Sequence, residues 1–134
     1  MTPSKKRTAI RQDLKAGILN SLLSMPGCKV FTARAEADGL QDFVSIYFEE
    51  GDRIQQHSFA DAEADLIIRI STKADPRQAD DRLDTIASLI EVGVKTDIFD
   101  DYVLGVFNSG FSYSDSANGN YSALELTYKI QYSD

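Results

Sequence analysis

Imidazole and thiol are nearly missing from this chain, which carries one histidine, His57, and one cysteine, Cys28. A lone thiol cannot close an intrachain disulfide, and with a single imidazole no thiolate or histidine metal cluster can form. The chain fits a reducing cytoplasm. Long apolar runs are missing too: none approaches the roughly eighteen residues that span a bilayer. Met1 to Arg7 leads into an amphipathic stretch instead of a signal-peptide core. Neither a membrane partner nor export is expected. Positive charge is scarce, with 14 lysines and arginines against 21 aspartates and glutamates, for a formal net charge of -7. Long-range attraction to nucleic acid phosphates therefore does not organise the function. The nearest candidate for such binding, Lys5, Lys6 and Arg7 with Arg11, reads as the solvated start of a helix.

Catalytic signatures are absent as well. The sequence has no glycine-rich phosphate loop followed by Lys-Ser/Thr, no dinucleotide fingerprint and no His-Glu-x-x-His pattern. An acyl-transfer triad needs a base held by a carboxylate beside a nucleophile. His57 instead lies among Gln55, Gln56 and Ser58, in what reads as a polar surface loop. The densest acidic stretch is Asp97, Asp100 and Asp101, with Asp80, Asp81 and Asp84 upstream. Paired carboxylates can hold a hard cation or move protons, but this spacing matches no calcium loop. Asp80, Asp81 and Asp84 are expected to decorate the exposed start of a helix, where negative charge favours the dipole. A weak magnesium contact at an interface is the residual metal reading. No catalytic residue, cofactor site or metal ligand is assigned, and the chain is not expected to be an enzyme.

What is present is an ordinary globular composition: 134 residues, 43% hydrophobic and 26% charged. That length suits one compact domain over residues 1–134. Thr2 and Pro3 supply an N-cap and a first helical position. Ile10, Leu14, Ile18 and Leu22 then recur every fourth residue as one buried stripe, which Pro26 and Gly27 terminate. Leu19 and Leu23 lie off this stripe, so the helix is apolar over more than the roughly 100° that one core contact requires. Either a segment of the same chain or another subunit covers them.

Val30 and Phe31 suggest a short strand, followed by a loop from Thr32 to Gln41. Phe43 to Phe48 is a strand with Val44, Ile46 and Phe48 on one face and Phe43, Ser45 and Tyr47 on the other. Glu50, Gly51 and Asp52 look like a turn. The strongest alternation places Ala62, Ala64, Leu66, Ile68 and Ile70 opposite Glu63, Asp65, Ile67 and Arg69.

Asp75-Pro76-Arg77-Gln78 has the logic of a capping box, with Gln78 reaching back. The helix it opens buries Leu83, Ile86, Ala87 and Ile90 and ends at Gly93 in a left-handed cap. Tyr102 to Phe107 and Gly110 to Ser114 are strand-like with an interruption at Asn108 and Ser109, and Asn118-Gly119 supplies a hairpin turn. The closing strand alternates Ser122, Leu124, Leu126, Tyr128, Ile130 and Tyr132 with Ala123, Glu125, Thr127, Lys129 and Gln131. Tyr102, Phe107, Phe111 and Tyr113 cluster near this hairpin, either as sheet packing or as a surface for protein contacts. The order predicts an α+β fold: a largely antiparallel or mixed sheet of four to five strands with two helices packed on one face. The other face carries Glu63, Asp65, Arg69, Glu125, Lys129 and Gln131, as solvent-exposed or polar-contact positions.

The helix from Thr8 to Leu23, the strand around Ala64-Asp65-Leu66-Ile67-Ile68, the Pro76 helix and the terminal hairpin occur in a familiar order. Most telling are Ser109-Gly110-Phe111-Ser112-Tyr113 and Ser122-Ala123-Leu124-Glu125-Leu126-Thr127-Tyr128-Lys129-Ile130-Gln131-Tyr132. In length and element order the chain resembles the minor tail protein U family, the tail terminators of lambda-like siphophages. Thr32 to Gln41 and Gly51 to Phe59 depart most from that family, and no partner-contacting residue is carried over. The resemblance implies a homo-hexameric ring on the end of the tail tube that stops tube polymerisation and prepares the tail for head attachment. Its partners would be the tail tube protein and a head–tail connector protein. The genome would pass through an acidic lumen without specific DNA binding. The location would be the virion tail, reached from the host bacterial cytoplasm during assembly. One alternative is a head–tail connector, a neck or head-completion protein. Another is a small-molecule binder or enzyme resting on the aspartate clusters and His57.

Overall fold

The computed structural model of the chain describes residues 2–34, 39–56, 59–115 and 119–133. Thr2 opens helix α1 (Pro3–Ser21) by accepting from Lys5 N at 3.3 Å. The stripe it carries is fully inside: Ile10, Leu14, Ile18 and Leu22 are all buried. The helix closes at Ser21, earlier than Pro26. The amide of Leu22 still bonds to Ile18 O, and a turn from Leu22 to Met25 then leads the chain away.

Two strands are longer than the sequence suggests. After β1 (Lys29–Phe31), strand β2 runs from Asp42 to Gln56 without turning at Glu50-Gly51-Asp52. A register shift between Phe48 and Glu50 absorbs the local irregularity. Gly51 pairs with Ala64, where an added Cβ would stand 2.9 Å from the alanine Cβ. Glycine is there for close cross-strand approach, not for a turn. Strand β3 (Phe59–Thr72) returns antiparallel to β2.

Asp75 caps α2 (Pro76–Gly93) through Arg77 N at 2.9 Å, while the bond made by Gln78 comes from its backbone amide to Asp75 O. Gly93 is not a left-handed cap. It is the last helical residue, Val94 is the C-cap, and the glycines with positive φ among the described residues are Gly39 and Gly119. What Gly93 provides is room, because a side chain there would collide with Ser21 of α1.

A short 3-10 turn (Thr96–Ile98) leads to β4 (Val103–Asp115) and β5 (Ser122–Ser133). The expected interruption at Asn108 and Ser109 is a bulge inside one continuous strand. Gly119 has φ 73°, as the hairpin turn requires; Asn118 lies outside the described residues.

The architecture is α+β, with a five-stranded mixed sheet in the order β1-β2-β3-β5-β4. The β1–β2 pair is parallel, and the other pairs are antiparallel. Both helices bury their stripes against Val44, Ile46, Leu66, Ile68, Leu126 and Ile130. No helix among the described residues is long and apolar enough to cross a membrane.

Candidate assembly surfaces

The face of the sheet away from the helices is neither bare nor plainly wet. Alternation along β3 and β5 brings charges of opposite sign side by side. Lys129 Nζ lies 3.0 Å from Asp65 and 3.8 Å from Glu63, Gln131 Nε2 donates to Glu63 at 2.9 Å, and Arg69 stands 3.4 Å from Glu125. Tyr47 donates to Glu125 at 2.8 Å, and burial together with that bond pushes its hydroxyl pKa up to about 12. These side chains are half-buried and compensate one another, so this face supplies little free charge. Toward the start of β2 the same face is closed: Phe43 packs edge-on against Tyr121 at 5.2 Å, whose hydroxyl reaches Leu40 O at 2.8 Å.

Strand β4 is different because it forms a sheet edge. Phe111 and Tyr113 pair with Leu126 and Leu124, which puts them on the helix side of the sheet, yet they are 70% and 43% exposed. Their rings meet edge to face at 5.9 Å. Tyr113 donates to Asp84 of α2, and that bond pushes the tyrosine pKa up to about 12. Phe107 pairs with Lys129 on the opposite face and is also exposed. Of the aromatic group, only Tyr102 packs against the core. Phe107, Phe111 and Tyr113 are therefore exposed and not packed in the core. Sequence reasoning missed Leu104, exposed at the β4 irregularity, and Val92, exposed on α2. The position of Val92 off the Leu83–Ile86–Ile90 stripe was the available signal.

Leu19 on α1 and Leu23 in the turn after it are exposed, so no described part of this chain covers them. The basic cluster is partly occupied within the chain. Lys6 Nζ donates to Ser133 O at 2.6 Å and stands over the Tyr102 ring, and Arg11 lies over the Phe48 ring at 5.8 Å.

Two ionic sites involve helix side chains, Arg82 of α2 and Asp13 of α1. Asp42, 5% exposed, accepts from Arg82 Nη2 at 2.6 Å and from Thr72 Oγ1 at 2.8 Å. That partnership raises the Arg82 pKa. Cys28 lines the same shallow pocket, where burial pushes the thiol up to about 11 and leaves it unreactive. At the other site Asp13 approaches Asp100 and Tyr102. Burial and the Asp100 charge raise the Asp13 pKa, and both Asp13 Oδ2 and the Tyr102 hydroxyl are buried without a hydrogen-bond partner among the described residues.

Among the described residues no three His, Cys, Asp or Glu side chains converge. Asp80, Asp81 and Asp84 are exposed on α2 but lie beyond its first turn, which holds no acidic residue. Their contribution to the dipole is accordingly small, and Asp75 as N-cap takes that place. His57 lies outside the described residues.

The fold has a counterpart. A chain from the virion of a native gene transfer agent (GTA) particle superposes with a TM-score of 0.65 at 17% sequence identity, covering 96% of this chain and 94% of that chain. At that identity the likeness is one of fold. No curated protein matches by sequence. The family model for phage minor tail protein U matches residues 1–132. By that match over nearly its whole length, the chain belongs to the phage minor tail protein U family.

Proposed function

We propose that this structural tail protein is a tail terminator, which assembles as a hexameric ring on the end of the tail tube, stops tube polymerisation and presents a surface to the head–tail connector. The observation that carries this reading is the family match over residues 1–132. The surfaces agree with it. Exposed apolar side chains in two separate regions, Leu19 on α1 with Leu23 in the turn after it, and Phe111 and Tyr113 on β4, are what a subunit with several protein contacts needs. The net charge of -7 suits a ring whose lumen passes DNA without holding it. Assembly takes place in the host bacterial cytoplasm, where the buried Cys28 remains a thiol.

The direct test adds purified chain to polymerising tube protein and follows tube length by negative-stain electron microscopy. Termination predicts tubes that stop growing with the chain at one end. Tubes that lengthen at the same rate with free ends would remove the capping role.

A further inference from the structure

We draw no further inference here: the strongest candidate, the exposed Phe111–Tyr113 ledge on the β4 edge of the sheet beside α2, is an unpartnered apolar surface, and nothing in the structure shows what covers it.

Discussion

Gly93 of α2 lies so close to Ser21 of α1 that a Cβ on the glycine would overlap the serine hydroxyl oxygen, whereas Ser21 Cβ would be 3.5 Å away. Two effects oppose each other at this site. Alanine is favoured over glycine inside a helix by about 1 kcal/mol, while forcing atoms into a packed contact costs about 1–3 kcal/mol. The Ser21 hydroxyl, which donates to Gly17 O at 3.1 Å, must also give up that position. Gly93→Ala is expected to be destabilising in the wild-type chain and neutral or stabilising in a Ser21→Ala background. Urea unfolding of the two single variants and the double variant measures this. Additive effects would show that the helices do not meet here.

The Asp42–Arg82 pair gives a second prediction. Asp42 is 5% exposed and Arg82 fixes both of its oxygens, at 2.6 and 3.3 Å. Removing one partner of a fully buried pair costs about 3–5 kcal/mol. The Arg82 side chain is 41% exposed, so water can reach the site, and Arg82→Met is expected to cost about 2 kcal/mol. Equilibrium denaturation should show the loss, and Arg82→Met with Asp42→Asn should recover part of it. A single variant as stable as wild type would contradict the ionic role.

Asp13 works in the opposite direction. Its folded pKa is raised from 3.8 by burial and by Asp100. The folded state therefore binds this proton more tightly than the unfolded chain, and stability falls as pH rises past the unfolded value. Asp13→Asn should raise the thermal midpoint at neutral pH and bring no gain near about pH 3, where the unfolded carboxyl is protonated as well. A gain independent of pH would assign the effect to packing instead of charge.

At high pH the same linkage acts through tyrosines. Burial, with Glu125 at Tyr47 and Glu91 at Tyr128, pushes both hydroxyls from 10.0 up to about 12. The folded state holds these protons more tightly, so the stability they confer is complete below pH 10 and is lost as pH climbs toward 12. Phenolate absorbance of the Tyr47→Phe and Tyr128→Phe variants should each remove a late-titrating group. Loss of an early one would contradict the assignment.

Periodicity reveals which residues meet the core and says little about what lies beyond it. The stripe from Ile10 to Leu22 and the alternations from Ala62 to Ile70 and Leu124 to Tyr132 are buried as their spacing requires. Gly51 and Gly93 were misread because a glycine admitting a neighbour looks, in sequence, like a glycine making a turn. Phe111 and Tyr113 alternate like core residues, yet they sit on an edge strand that α2 leaves uncovered. Only the strand order exposes that ledge. Leu19 and Leu23 were legible as surplus apolar surface, since one stripe already satisfied α1.

Termination is tested in a phage whose copy of this gene is disrupted, by electron microscopy of lysates scored for tail length and head attachment. Headless tails of abnormal, uncontrolled length are expected, because only loss of a cap lets the tube continue to grow. Tails of normal length would contradict it, and unattached heads beside them would move the protein to the neck.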